Sequence, residues 1–89
     1  MVKYPLRPAN ELHLRHLTLD EALPRLDQYL HDVYMAGLIQ VWIVHGKGTG
    51  TLRQTVRREL GKHPLVKSFR PGDYGEGGQG VTLVELAEK

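Results

Sequence analysis

The sequence predicts an α/β fold of the two-layer α+β sandwich kind, a mixed four-stranded sheet in the order β-α-β-α-β-β with two helices on one face. Three observations predict it. Short β-rich segments alternate with two amphipathic helical stretches over the first two thirds of the chain. The last two β-rich segments follow one another with only a glycine-rich turn between them. Finally, 89 residues suit a single domain with one thin core, because a chain of this size hides only about 60 to 65% of its unfolded surface. Two right-handed crossovers of helix length place both helices over the same side of the sheet, leaving the other side open.

Taken in order, residues 1–10 (MVKYPLRPAN) carry two prolines and no continuous apolar run, so they read as an extended arm and neither a signal peptide nor a membrane span. Residues 11–86 form the domain and 87–89 a short tail. Leu12 and Leu14 alternate with Glu11, His13 and Arg15, which predicts a strand with His13 and Arg15 on its polar face. Thr18 with Glu21 is a capping-box pattern, and Leu19, Leu23, Leu26, Leu30 and Val33 then recur at helical spacing until Gly37. Pro24 inside this helix predicts a kink or a loosened first turn. VWIV, residues 41–44, is an interior strand that ends at His45. Leu52, Val56 and Leu60 predict a second helix, with Gly61 as its C-terminal cap and Pro64 beyond it. LVKSF (65–69) and VTLVEL (81–86) are the last two strands, joined by RPGDYGEGGQG with its five glycines.

The charge is unevenly spread. The net charge is +2, yet between Gln40 and Pro71 seven cations (Lys47, Arg53, Arg57, Arg58, Lys62, Lys67, Arg70) face one anion, Glu59. From Thr18 to Tyr34, Asp20, Glu21, Asp27 and Asp32 face only Arg25. One basic side suits a polyanion. The absence of cysteine removes disulfide and thiolate chemistry and fits a cytoplasmic setting. No carboxylate cluster at ligand spacing suggests a two-metal nuclease, and no His/Cys pattern suggests zinc, so neither metal nor cofactor is expected.

HGKGTG, residues 45–50, bridges a strand end and a helix start, where free backbone N–H groups and the helix dipole favour an anion. Gly46, Gly48 and Gly50 let the backbone approach a phosphate, Lys47 adds a charge, and Thr49 or Thr51 can cap the helix. The spacing is neither a Walker loop nor a dinucleotide fingerprint. Two readings stand side by side: a phosphate seat, or glycines that only build a tight turn. His13, Arg15 and His45 are expected to converge at the strand ends, where imidazole can move a proton and arginine can clamp a phosphate.

With "LHLRHL" (12–17), "HGKGTGTLRQTVRREL" (45–60), "HPLVKSFRP" (63–71) and "GGQGVTLVEL" (77–86) in this order, the chain resembles the Smr (small MutS-related) domain family, here as a stand-alone domain. That family's pattern is Leu-Asp-Leu-[His/Arg]-Gly in the first strand, His-Gly-Lys-Gly-Thr-Gly before the second helix, and Gly-Gly-x-Gly-x-Thr entering the last strand. The resemblance implies a fold similar to the C-terminal domain of translation initiation factor three and DNA or RNA binding, with endonuclease activity in many members. Recombination control and rescue of stalled ribosomes are the settings it implies, so ribosome association is a further expectation. His13 stands where the family has aspartate and His16 where it has glycine, while Arg15 and His45 match. Binding is therefore expected through Gly46, Lys47, Gly48, Thr49, Gly50, Arg53, Arg57 and Lys62. His13, Arg15 and His45 form the candidate catalytic set; the alternative is an active endonuclease in which His13 and His45 share acid and base roles.

Overall fold

The computed structural model describes residues 10–46, 50–72 and 78–88. Its elements are β1 (Glu11–His13), α1 (Leu19–Met35), β2 (Gln40–Val44), α2 (Thr51–Lys62), β3 (Val66–Pro71) and β4 (Val81–Leu86), with a short 3-10 turn at Gly78–Gly80 leading into the last strand. The sheet order is β1-β2-β4-β3. β1 lies parallel to β2, and β4 is antiparallel to both β2 and β3. Because β4 slots between β2 and β3, the crossover through α2 steps over one strand. The arm expected at residues 1–9 lies outside the described residues, as do Lys47, Gly48 and Thr49, the middle of the glycine-rich turn before β4, and Lys89.

α1 begins where the capping box predicts. The Thr18 hydroxyl accepts from the Glu21 backbone N–H at 3.2 Å, and the Glu21 carboxylate accepts from the Thr18 N–H at 3.0 Å, which satisfies two of the donors that a helix start leaves unpaired. The helix runs unbroken through Pro24 to Met35. Its buried stripe, Ala22, Leu26, Leu30 and Val33, packs on Val41 and Ile43 of β2 and Val84 and Leu86 of β4, with Val56 and Leu60 of α2 closing the core. Each fully buried leucine contributes about 1.5–3 kcal/mol.

Two local expectations are corrected. Gly61 is not the cap of α2: the helix continues to Lys62 and is capped at His63, whose φ of −82° is not left-handed. Nor does a threonine cap the start of α2. The cap residue is Gly50, with φ +88° and no side-chain hydrogen bond, and Thr51 is the first helical residue. The second sheet face is also less open than expected. Val81 and Leu83 lie on that side by register with Val44 and Trp42, yet they are only 7% and 6% exposed.

Candidate functional site

β2 leaves the sheet at His45, and its end is strapped to the start of β4. The backbone N–H groups of His45 and Gly46 both donate to the Gly80 carbonyl, at 3.1 and 2.9 Å. Side chains alternate across a strand, so after Ile43 on the helix side and Val44 on the other, His45 returns to the helix side. There it is buried, with Nε2 2.8 Å from the Thr82 hydroxyl and Nδ1 2.9 Å from the Gly46 carbonyl. α2 passes above, and Arg57 Nε donates to the same Thr82 hydroxyl at 3.1 Å.

Glycine at 46 and 50 allows two arginines to lie against the main chain. Gly46 has φ +83°, and a Cβ there would sit 3.3 Å from Arg15 Cγ. Gly50 has φ +88°, and a Cβ there would sit 2.8 Å from Arg53 Nη2. Both positions use the left-handed region that costs other residues energy, and at both an arginine stem or head occupies the space a side chain would need.

The resulting corner is cationic. Among the described residues, none of Arg15, Arg53 and Arg57 has a carboxylate partner, and Arg57 Nη2 is buried with no hydrogen-bond acceptor. Burial first, and Arg53 second, disfavour the charge on Arg57. His45 titrates below its ordinary range mainly because burial penalises the imidazolium; the Gly46 carbonyl opposes this, while Arg57 and Arg53 reinforce it. An anion placed here would meet two guanidinium groups and a helix start that no side chain caps.

Of the residues singled out in the sequence, Arg15, His45, Gly46, Gly50, Arg53 and Arg57 gather at this corner. Lys47, Gly48 and Thr49 belong to the same turn but lie outside the described residues. His13 does not join them. Its register partner is Val44, so it faces away from His45, and it binds Glu11 Oε1 at 2.9 Å on the exposed side. Arg15 does not share a strand face with His13 either, because β1 ends at His13 and the chain turns through Arg15 and His16. The expected three-way convergence thus reduces to Arg15 with His45. Lys62 pairs with Glu59 at 3.3 Å near the far end of α2, about 18 Å along a helix of this length. Thr82 is not among the site residues singled out in the sequence, although it ends the Gly-Gly-x-Gly-x-Thr pattern and is the one hydroxyl in β4, and both signals pointed to it.

A second cluster, Asp27, His31 and His63, brings ligand-type atoms within 4.8 Å of one another. Its hydrogen bonds assign a different role. His63 Nδ1 accepts from the Leu65 N–H at 3.1 Å, so the neutral ring carries its proton on Nε2, which donates to Asp27 Oδ1 at 2.9 Å. His31 Nδ1 donates to the Asp27 backbone carbonyl. The cluster is a clip between α1 and the turn after α2, with His63's outward nitrogen already occupied by a proton.

The Smr domain profile matches residues 12–87. The chain is 58% identical over 77 residues to "Endonuclease MutS2" of Pelotomaculum thermopropionicum, and equally to that of Caldicellulosiruptor saccharolyticus; each match covers 86% of this chain and 10% of the relative. The chain therefore spans about a tenth of the length of these curated relatives. Among solved structures, the Smr domain of Thermus thermophilus MutS2 superposes with TM-score 0.86 at 46% identity, covering 88% of this chain and 98% of that one. YdaL, a stand-alone small MutS-related protein from Escherichia coli, superposes with TM-score 0.86 at 24% identity over 92% of this chain and 67% of its own, a likeness of fold.

Proposed function

The chain belongs to the Smr domain family, and from that premise we propose that it binds DNA or RNA by seating backbone phosphates in the corner formed by Arg15, Arg53 and Arg57 around Gly46 and Gly50. One observation carries this reading: Arg57 Nη2 is buried without an acceptor near a second arginine, Arg53, which has no carboxylate partner among the described residues. A buried, unpaired polar group costs about 1–3 kcal/mol, more when charged, and an incoming phosphate oxygen would recover that cost. Phosphate contacts of this kind position a nucleic acid without reading its bases. Lys47, Gly48 and Thr49, in the same turn, belong to the proposed seat by their place in the sequence.

Hydrolysis enters the proposal only through the relatives named endonuclease, of which this chain matches a tenth. The arrangement of His13 and His45 does not favour it, since the two lie on opposite faces. A cytoplasmic setting and a partner drawn from recombination intermediates or stalled ribosomes complete the proposal and rest on the family resemblance. No described helix is long and apolar enough to cross a membrane.

The test is a titration of labelled single-stranded, duplex and branched DNA and RNA, each repeated with divalent metal to detect cleavage. Binding that weakens with salt by roughly 0.7 to 0.9 log units per log unit of salt for each phosphate engaged is expected. Absence of binding at low salt to every probe would overturn the proposal.

A further inference from the structure

β4 is buried along almost its whole length, and Thr82 within it is 0% exposed. Valine has nearly the same shape, so a threonine here costs desolvation unless its hydroxyl is fully used. It is used twice, and the directions of the bonds follow from the groups involved. Arginine only donates, so Thr82 Oγ1 accepts from Arg57 Nε at 3.1 Å. A carbonyl only accepts, so His45 Nδ1, 2.9 Å from the Gly46 oxygen, carries the ring proton. The Thr82 hydroxyl hydrogen then goes to the lone pair of His45 Nε2 at 2.8 Å. The chain reads Arg57 Nε to Thr82 to His45 to the Gly46 carbonyl, each link pairing one donor with one acceptor.

We propose that Thr82 is a positioning residue of the phosphate corner, which fixes the His45 ring against the Gly46 turn and aims the Arg57 guanidinium so that Nη2 is left for an anion. Through this one hydroxyl β4 holds both walls of the corner, the turn on which Arg15 lies and the helix that carries Arg53. The inference rests on the nucleic-acid reading above for the identity of the anion, but not for the hydrogen-bond chain itself.

The experiment combines NMR of the side-chain nitrogens with oligonucleotide titration, on wild type, Thr82→Val and Thr82→Ser. Wild type is expected to show His45 protonated on Nδ1 and an Arg57 Nε–H protected from solvent exchange. Thr82→Val should lose that protection and bind about tenfold more weakly, the effect of losing roughly one net hydrogen bond at a charged group. Thr82→Ser should retain both within about twofold. A wild-type His45 protonated on Nε2 overturns the proposal whether or not the valine variant folds. So does a folded Thr82→Val that keeps the Arg57 signal and full affinity, or a Thr82→Ser as impaired as Thr82→Val. If wild type binds no oligonucleotide, the functional reading fails, while the nitrogen spectra still decide the role of Thr82.

Discussion

His13 and His45 lie on opposite faces of the sheet: His13 sits beside Val44 in the β1–β2 register, and His45, the next residue after Val44, points the other way to Thr82. The two imidazoles therefore do not converge on one side of the sheet, an arrangement that does not favour their sharing acid and base roles at one phosphate. His13→Ala should therefore leave oligonucleotide affinity, and any cleavage detected, within about twofold of wild type, in keeping with an exposed side chain outside the phosphate corner. Anisotropy titration and a gel cleavage assay check this; loss of both would return His13 to the site.

Four described glycines have a left-handed backbone, and three of them invite comparison: Gly37 at φ +84°, Gly46 at +83° and Gly50 at +88°. Alanine at each should cost about 1–2 kcal/mol from backbone strain alone. Their surroundings differ. A Cβ at Gly37 meets nothing within 4 Å, whereas those at 46 and 50 meet Arg15 and Arg53. Gly37→Ala should thus lower the melting temperature without touching affinity, and Gly46→Ala and Gly50→Ala should lower both. Equal affinities in all three variants would make the glycines of the turn purely structural.

His16 is the one non-glycine residue with positive φ among the described residues, at 70°. Histidine tolerates this region better than most side chains but still bears strain there. Replacing it with the glycine usual in the family relieves about 1–2 kcal/mol of strain and gives back roughly 0.5–1 kcal/mol of chain entropy. His16→Gly should be modestly more stable in urea unfolding; a clear destabilisation would mean that the His16 side chain makes a contact worth more than the strain.

These residues also show what the sequence could and could not reveal. The Thr18–Glu21 cap, the α1 stripe, VWIV and the order of elements were legible because each rests on local spacing. The partition of His13, Arg15 and His45 was not, because alternation places side chains only while a strand lasts, and β1 ends at His13. Gly61 looked like a cap, yet Pro64 stops the helix only after another turn residue. Thr82 ends the Gly-Gly-x-Gly-x-Thr pattern, so its position was legible, but its role was not, because a strand buried on both faces offers no polar–apolar alternation to show what its hydroxyl meets. The Smr motifs located the corner, whereas its hydrogen-bond chain needed the register of β4 against β2.

His45 gives stability a pH dependence whose sign can be worked out. Its folded titration lies below the ordinary 6.5 because of burial first, then Arg57 and Arg53, against the opposing Gly46 bond. Between that lowered point and 6.5 the unfolded chain binds more protons than the folded one, so stability rises with pH across this window and is lost as pH falls into it. Urea midpoints measured from pH 5 to pH 7.5, roughly the range where histidines titrate, should fall more steeply on acidification for wild type than for His45→Gln. Parallel curves would mean that His45 is no more buried against charge than in the unfolded chain.

The central claim, that unpaired arginines around Gly46 and Gly50 seat phosphate, is tested most directly by the salt dependence of oligonucleotide affinity in three proteins: wild type, the double variant Arg53→Ala/Arg57→Ala, and Arg58→Ala. Arg58 is on the same helix and exposed to solvent, so its removal shows what one cation lost outside the corner does. The double variant should bind at least about tenfold more weakly near physiological salt, with its slope reduced by about two phosphate contacts of roughly 0.7 to 0.9 each, while Arg58→Ala stays close to wild type. A double variant with wild-type affinity and slope, or an Arg58→Ala loss as large as the double, would contradict the account.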